Sequence, residues 1–368
     1  MKPLKELPIL RIPFRAMEEV SKGMHSIMKM ISNRRDNKFP ILRLPFLAME
    51  EIFKAMDPFE IMTFSKISKR AKAVTKNMGF FSKYDIHFCV DKILWIYIRG
   101  TNGLVSCNYI ITWNEKLDGK IEEEKCLGRI SRRVYKYSTD PIEEWKQLCI
   151  YVLDIFKKQT IAVLQMRMDA LVDQNVSIIN FLKSNVKSVD GCYLLQWYQK
   201  NNVDENFTYF LNNITINNKL DSWLHIKNGD SDGKIPKNLK ELIINNSQWI
   251  GYEILLEIDS KHVVLRNNRI TNEEWNMFLK KWIAMETHLN LESLELGYSD
   301  LEEFRDYVLH NIPHEVVGEE VSRIVACRHY QTQKIKGGID IHRIDGKTAT
   351  FFVRRRRGYE ENVLMCIH

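Results

Sequence analysis

The side chains that most often carry enzyme chemistry are present in this sequence, but their spacing does not build a site. His310 and His314 are four residues apart, the spacing at which two histidines on one helix can share a zinc ion. Pro313 lies between them and would break that helix. His314-Glu315 begins like a zinc-protease motif, yet Gly318 stands where the second histidine is required. These patterns predict neither a metal site nor a metal-dependent hydrolase.

Cysteine and glycine patterns exclude the other common chemistries. The seven cysteines, at positions 89, 107, 126, 149, 192, 327 and 366, contain no Cys-x-x-Cys pair and are odd in number. This distribution favours buried, reduced thiols over a disulfide framework or a zinc knuckle. The sequence also lacks a Gly-x-Gly-x-x-Gly loop, a Walker loop and a Gly-x-Ser-x-Gly elbow. We therefore expect a protein without enzymatic activity, cofactor or metal.

The length and the charge distribution indicate several domains with different partners. A chain of 368 residues predicts two or three domains. It has neither an apolar run long enough to cross a membrane nor the continuous hydrophobic region of a signal peptide, so we expect an intracellular protein, cytoplasmic or nuclear, without a membrane partner. Residues 1–84 hold 17 Lys/Arg and 8 Asp/Glu, a net charge of +9, whereas the remaining chain is net −2. An acidic partner is therefore expected at the N-terminal quarter.

An internal repeat marks the N-terminal region. Residues 7–20, LPILRIPFRAMEEV, return as residues 39–52, FPILRLPFLAMEEI, with ten of 14 positions identical. Only the second copy continues into a complete helical pattern. Pro45 predicts the start of a helix, and apolar residues from Phe46 to Met56 follow it at steps of three and four. Residues 1–37 are therefore interpreted as a degenerate partial duplicate.

Two more short helices are predicted after the second copy. Asp57 has the position of an N-cap, Pro58 the first helical position, and Glu60 the spacing of a capping box. A third, Lys/Arg-rich helix follows Ser68. Three short helices in about 40 residues bury little apolar surface, so we expect a partner to complete their core.

Residues 39–76 resemble an F-box. The F-box motif has a leucine-proline opening, a first helix, a proline turn and an arginine-rich close. The matching features here are Leu44-Pro45, the apolar stripe of the first helix, the Asp57-Pro58 turn and the basic third helix. The usual tryptophan near the end of the third helix is missing. The resemblance implies docking onto the Skp-type adaptor of a cullin–RING ubiquitin ligase. The residues at matching positions are Leu44, Pro45, Ile52, Phe53, Pro58, Ile61 and Met62. The alternative is that this segment is only a small helical subdomain packed on the rest of the chain.

Short strands and one long helix are predicted for the next region. Tyr84–Val90, Ile93–Arg99 and Val105–Trp113 are rich in β-branched and aromatic residues. The stretch from Asp118 to Lys125 is predicted to be a polar loop. Asp140-Pro141 then opens an amphipathic helix.

From about residue 210 the pattern becomes modular. Short alternating strands such as Leu291-x-x-Leu294-x-Leu296 are followed by capped helices, with Thr271-x-x-Glu274 and Ser299-x-x-Glu302 as the predicted caps. The caps are 28 residues apart, which is within the range for leucine-rich repeats of about 20–29 residues. Each such unit needs a neighbour to cover its apolar face, so several should stack.

The C-terminal part resembles the second type of F-box-associated domain, found in nematode F-box proteins. The residues that carry the resemblance are the Leu-x-x-Leu-x-Leu strand, the Trp275/Trp282 helix and the Gly338–Lys347 stretch, in which Asp345-Gly346 predicts a hairpin turn. The resemblance spans about residues 240–350 and implies recognition of a protein substrate that it does not identify.

The sequence as a whole predicts an α+β or α-β repeat fold: a three-helix F-box, a β-hairpin segment and a leucine-rich-repeat-like strand–helix domain. The predicted boundaries are 1–37, 38–84, 85–209 and 210–368. The resemblances imply a non-catalytic substrate-recognition adaptor of a Skp–cullin–F-box ubiquitin ligase. Two alternatives stay open: an F-box scaffold that does not recruit a cullin, and a basic protein that binds nucleic acid through its N-terminus and Arg354–Arg357. Nucleic acid is the less favoured partner, because residues 85–368 are net acidic.

Overall fold

The computed structural model describes residues 40–78, 83–100, 105–227, 234–327, 331–354 and 362–368. The predicted duplicate in residues 1–37, Phe39 and Arg355–Arg357 lie outside these ranges. The chain forms two compact units. Unit 1 comprises residues up to Asp85 together with Tyr97–Lys158, and unit 2 comprises Ile86–Ile96 together with Gln159–His368.

Helices account for the first part of unit 1 and recur throughout unit 2. In chain order, the α-helices of the described ranges are α1 (Phe46–Ala55), α2 (Pro58–Lys66), α3 (Lys69–Asn77), α4 (Pro141–Ile155), α5 (Asn175–Asn185), α6 (Asp204–Asn213), α7 (Tyr252–Glu257), α8 (Asn272–Ile283) and α9 (Leu301–Val308). Short 3₁₀ helices occupy Pro40–Arg43, Glu115–Leu117 and Val172–Gln174. None of these helices is long and apolar enough to cross a membrane.

Strands form the rest of the regular structure. In chain order they are β1 (Tyr84–Val90), β2 (Leu94–Gly100), β3 (Val105–Thr112), β4 (Ile121–Cys126), β5 (Arg129–Tyr137), β6 (Thr160–Arg167), β7 (Ser188–Leu195), β8 (Ile216–Trp223), β9 (Leu239–Ile244), β10 (Ser260–Leu265), β11 (Ser293–Glu295), β12 (Glu315–Cys327), β13 (Gln331–His342), β14 (Thr348–Arg354) and β15 (Asn362–Ile367). The mixed α/β class predicted from the sequence is confirmed. The three strands predicted between Tyr84 and Trp113 are confirmed to within one residue at each end.

Unit 1 joins the three N-terminal helices to strands in the order β2-β3-β5-β4 and to helix α4. The prediction of a polar loop from Asp118 to Lys125 is wrong, because most of this stretch is strand β4, paired antiparallel with β5. Glu122 lies opposite Arg133 and Glu123 opposite Arg132. Opposite charges on facing strands stabilise a pairing that strand propensity alone does not predict.

Unit 2 is built on a run of parallel strands. From β6 to β11 each strand pairs with the next one along the chain, and helices α5, α6, α7 and α8 connect four of the five pairs. This alternation of strand and helix begins at Thr160, upstream of the boundary predicted at residue 210. Parallel crossover connections are right-handed, so strands added in one direction place their helices on one face of the sheet.

The core of unit 2 follows one row of that sheet. Across six strands the paired positions are all fully buried and apolar, with a sulfur side chain at one of them: Leu164, Cys192, Leu220, Leu242, Val263 and Leu294. Trp275, Phe278 and Trp282 of α8 are buried as well. Each strand therefore contributes one layer to a continuous apolar core, since a single strand–helix unit could not bury its own face.

Antiparallel strands complete the sheet of unit 2. Strand β15 pairs antiparallel with β11, and β14, β13 and β12 follow outward in that order. The hairpin predicted around Asp345-Gly346 is confirmed, with His342 opposite Thr348. Gly346 has φ of +89°, a conformation that glycine adopts without steric cost.

The helix caps agree with the sequence in three of four places. Asp57, Asp140 and Thr271 each accept a hydrogen bond from the backbone N–H three residues on. The cap predicted at Ser299 is wrong: Asp300 caps α9 by accepting from the N–H groups of Glu302 and Glu303. Aspartate and serine are both good caps, and the observed cap lies one residue after the predicted one.

His288 gives unit 2 a predicted dependence on pH. Its ring packs edge-on against Phe278 at 4.9 Å, and its Nε2 has no hydrogen-bond partner among the residues that the structure describes. Burial lowers its pKa from 6.5 to about 4. As the pH falls from 6.5 to 4, His288 becomes protonated in the unfolded chain but stays neutral in the folded chain. The free energy of unfolding therefore decreases by about 3 kcal/mol across this window.

This pH dependence is measured by urea unfolding of the full chain at several pH values. We expect the His288→Gln variant to lose less stability than wild type between pH 7 and pH 4. The exposed His310→Gln is the matched control and should behave like wild type. Parallel pH profiles for wild type and His288→Gln would contradict a neutral, buried His288.

Candidate functional site

The seven residues predicted to bind a partner on the N-terminal helices divide into two groups. Leu44 and Pro45 are exposed and Ile52 is half-buried. Phe53, Pro58, Ile61 and Met62 are buried within unit 1. The structure therefore brings the seven to one small helical region but places only three where a partner could reach them; their part in binding stays a prediction.

The buried group holds the first two helices together. Phe53 of α1 packs edge-on against Phe64 of α2, with ring centroids 5.1 Å apart. The capping box between Asp57 and Glu60 fixes the start of α2, and Pro58 occupies its first turn. Burial of Glu60 raises the pKa of its carboxyl. This effect outweighs the hydrogen bond from the Asp57 backbone, which lowers the pKa. These residues set the angle at which α1 is presented.

An exposed apolar surface lies at the start of α1. We call Leu44, Phe46 and Leu47 the α1 apolar surface; their exposed fractions are 38%, 51% and 74%. The sequence pattern placed Phe46 on the apolar stripe of the helix and did not single out Leu47. These three large apolar side chains lie within four residues of one another, and contiguous exposed apolar patches are typical of protein interfaces.

The other side of the helical region is covered by the chain itself. The hydroxyls of Ser65 and Tyr151 are 2.9 Å apart. Asp154 of α4 forms ion pairs with Lys72 at 3.0 Å and with Lys76 at 2.5 Å. Burial alone would raise the pKa of the Asp154 carboxyl, but the two lysines lower it. The expectation that a partner must complete this core is therefore wrong for α2 and α3, because α4 and neighbouring strands already do so.

Arg132 of β5 ties the start of α2 to the strands of unit 1. Its guanidinium is hydrogen-bonded to the Asp57 carboxylate and lies 3.0 Å from Glu123. It also stacks over the Phe59 ring, 5.6 Å from the centroid. Both Arg132 and Asp57 are only 12% exposed, so the pair is shielded from solvent. Asp57 thus both caps α2 and anchors it.

In unit 2 the loops that follow the parallel strands gather at one edge of the sheet. We call the described residues of these loops, after β7, β8, β9 and β10, the C-edge loops; they begin at Gln196, Leu224, Asn245 and Arg266. Residues 228–233 of the second loop lie outside the described ranges. In open sheets with parallel strands, ligands bind outside the carboxyl ends of the strands. This edge of the sheet is therefore the candidate recognition site of unit 2.

Two exposed aromatic side chains stand in the first C-edge loop. Trp197 and Tyr198 are 65% and 55% exposed, yet both of their backbone N–H groups donate to Asp169. The buried guanidinium of Arg167 lies under the Trp197 ring at 4.1 Å, and its Nη2 is 2.8 Å from Asp91. Exposed but immobilised aromatic rings are frequent anchors of protein–protein interfaces.

The helix-free face of the sheet is polar but largely satisfied. Lys219 lies 3.2 Å from Glu241, and Arg266 lies 3.2 Å from Glu295. Arg354, the first of the four consecutive arginines, is 3.7 Å from Glu295 as well. The carboxylates of Glu241 and Glu295 are only 7% exposed. On this face the carboxylates of Glu241 and Glu295 are therefore already paired with cations of the chain itself.

Sequence reasoning missed the C-edge loops for a physical reason. Each of these loops begins more than 20 residues after the previous one along the chain. Only the parallel sheet brings Trp197, Tyr198 and the polar groups of the following loops to one edge. The signal that could have found them is the repeated return of a polar stretch after each strand.

Comparison with known proteins matches two parts of the chain. Residues 41–83 match the model of the F-box domain, and residues 231–296 match the model described as F-box associated. The first match covers the helical region and the second covers β9 to β11. The second match ends before the Gly338–Lys347 hairpin. The resemblance to nematode F-box proteins with a C-terminal F-box-associated domain is thereby supported.

One curated relative is similar over most of the length. Skn-1 dependent zygotic transcript 15 protein of Caenorhabditis elegans is 22% identical over 324 residues, covering 80% of this chain and 88% of the relative. No solved structure matches.

Proposed function

We propose that this F-box-bearing chain is a non-catalytic substrate-recognition adaptor of a Skp–cullin–F-box ubiquitin ligase. The observation that carries the proposal is the α1 apolar surface, held in water by helices whose other side is fastened to the chain's own α4 and β5. Such an arrangement suits a docking module better than a subdomain whose only role is to pack on the rest. We further propose that Leu44, Pro45 and Ile52 touch the Skp-type adaptor together with Phe46 and Leu47 of the α1 apolar surface. Phe53, Pro58, Ile61 and Met62 are proposed to position them.

The second unit is proposed to bind the target. Its alternation of parallel strands and helices supports a leucine-rich-repeat-like recognition domain, for which residues 210–368 were the predicted extent. Holding a target and a ligase on one chain raises their effective concentration, so ubiquitin transfer needs no catalytic residue in this protein. This role implies an intracellular location, cytoplasmic or nuclear.

Co-purification of the full chain with a co-expressed Skp-type adaptor tests the proposal. We expect an adaptor complex that survives a wash at high salt, because the proposed contact is apolar and apolar contacts are not screened. Binding of a nucleic acid, by contrast, would fall steeply with salt. If the folded chain is recovered without adaptor at every salt concentration, docking through α1 is refuted.

A further inference from the structure

The hairpin of β12 and β13 is longer than the part of the sheet beside it. Strand β14 pairs with residues 339–342 of β13, whereas β13 begins at Gln331. Residues 322–327 of β12 pair with residues 331–336 of β13, and among the described residues no third strand pairs with this part of β13. We call residues 322–325 and 332–336 of this two-stranded ribbon the arm. Residues 328–330 at its tip lie outside the described ranges.

The arm folds back over the sheet. Val325 and Ile335 of the arm form one buried apolar cluster with Phe352 of β14 and with Leu364 and Cys366 of β15. In the sheet order, β13 and β14 lie between β12 and β15. Three strand spacings amount to about 14 Å, which is too far for a valine of β12 to reach β15 in a flat sheet. The arm therefore lies on top of β14 and β15.

The bend at the base of the arm contains two consecutive glycines. Gly337 and Gly338 have φ of +63° and +117°, values that glycine adopts without steric cost. A Cβ atom on Gly338 would lie 2.8 Å from the backbone oxygen of Phe351. On the facing strand the pairing register shifts between Val317 and Ser322, which is a bulge in β12. Two glycines opposite a bulge give the arm a hinge.

One ion pair spans this hinge. The Arg323 guanidinium donates to both carboxylate oxygens of Asp340, at 2.5 and 3.0 Å, and its Nε donates to the Gly337 carbonyl at 3.1 Å. Asp340 also accepts from the Thr350 hydroxyl at 2.7 Å, which ties it to β14. Because Arg323 belongs to the arm and Asp340 to the base of the hairpin, this pair acts as a latch.

The outward side of the arm faces water. Ile324 is 70% exposed, and Lys334 and Lys336 are exposed beside it. A two-stranded hairpin is marginally stable at best in water when nothing packs on it. The closed position of the arm therefore depends on the contacts of its inward side, which are the latch and the apolar cluster.

We propose that the arm is a strap that opens about Gly337-Gly338 while the rest of unit 2 stays folded. Opening uncovers Leu364 and Phe352, which lie in one register row with Glu295 and therefore on the helix-free face. The core row of unit 2, from Leu164 to Leu294, lies on the other face and keeps its contacts. The strap thus hides an apolar patch of the helix-free face when closed and presents it when open. This inference concerns unit 2 alone and does not depend on the proposed function.

The thiol of Cys366 reports on the opening, because it is fully buried in the cluster that the arm covers. The full chain is treated with N-ethylmaleimide at several urea concentrations below the unfolding transition, and the labelling of each cysteine is followed by mass spectrometry of its peptide. Each rate is divided by the rate of the same thiol in the fully unfolded chain. Cys192, fully buried in the core row on the other face, is the internal reference.

We expect Cys366 to be labelled at least about tenfold faster than Cys192 without urea, because a local opening costs less free energy than unfolding of unit 2. Its rate should also depend less steeply on urea, because opening of the arm exposes less surface. Equal rates and equal urea dependences of the two thiols would overturn the proposal, since they would mean that the arm opens only when unit 2 unfolds.

Two isoleucines of the arm provide a matched pair of variants. Ile335→Ala removes apolar contacts from the covered side and should raise the labelling rate of Cys366 at least about tenfold. Ile324→Ala makes the same substitution on the outward side and should leave the rate unchanged. Arg323→Met, which removes the latch, is a second opening variant and should act in the same direction as Ile335→Ala. Wild-type labelling of Cys366 in both opening variants would show that the arm does not control access to this thiol and would overturn the strap.

Discussion

The Leu47→Asp variant should fail to co-purify with a Skp-type adaptor while folding like wild type. Leu47 is 74% exposed, so its replacement should alter the free energy of unfolding by less than about 0.5 kcal/mol. In the proposed complex the new carboxylate would be buried without a partner. This costs several kcal/mol, a loss of affinity of at least about a hundredfold.

A matched control separates the interface from a general effect of the charge. Leu127→Asp makes the same substitution at a residue that is 97% exposed at the β4–β5 turn of unit 1. It should leave adaptor binding unchanged. Leu47 is a sharper choice than Ile52, because Ile52 is half-buried and its substitution would disturb the helices as well. Wild-type affinity in Leu47→Asp would remove the α1 apolar surface from the account.

Replacing Arg132 by methionine should destabilise unit 1 by about 3 kcal/mol, because breaking a shielded ion pair leaves an uncompensated charge. Asp57 would lose its ion-pair partner, whereas Glu123 would keep Lys125 at 3.3 Å. The neighbouring Arg133→Met is the control: Arg133 is 44% exposed and lies 2.7 Å from Glu124, and a surface pair of this kind contributes less than about 1 kcal/mol.

Hydrogen exchange of the α2 and β5 amides in increasing urea measures this effect locally. The double variant Arg132→Met with Asp57→Asn should recover part of the loss, because asparagine still caps α2 and carries no charge. Equal effects of Arg132→Met and Arg133→Met, or no recovery in the double variant, would show that the Asp57 pair does not fasten α2 to the strands.

Local signals in the sequence predicted the local structure of this protein well. The capping boxes at Asp57 and Thr271 and the turn at Asp345-Gly346 are each set by residues within a few positions of one another. The same holds for the F-box resemblance, which depends on a short run of residues. Such features do not require knowledge of the tertiary fold.

Features that depend on distant residues were not predictable in this way. The polar sequence of β4 predicts a loop. It forms a strand because its glutamates lie opposite the arginines of β5. Strand β8, with the sequence INNKLDSW, has polar residues at most of its positions and reveals itself only through its parallel neighbours. The covering of α2 and α3 by α4 joins residues more than 80 positions apart, as Ser65 and Tyr151 illustrate.

The candidate sites follow the same division. The α1 apolar surface lies within four residues of the Leu44-Pro45 signal, although the pattern did not show that Leu47 faces water. The C-edge loops begin at Gln196, Leu224, Asn245 and Arg266, and no spacing rule links them. Only the alignment of four parallel strands brings them to one edge.

Reconstitution of the wild-type chain with a Skp-type adaptor and a cullin tests the central claim most directly. The three purified proteins are mixed and analysed by size-exclusion chromatography with light scattering. The account predicts one complex that contains all three proteins in equal numbers, and a Leu47→Asp chain that elutes alone. A stable pair of chain and adaptor that excludes the cullin would contradict the ligase role and favour an F-box scaffold; a wild-type chain that binds neither protein would contradict the account as a whole.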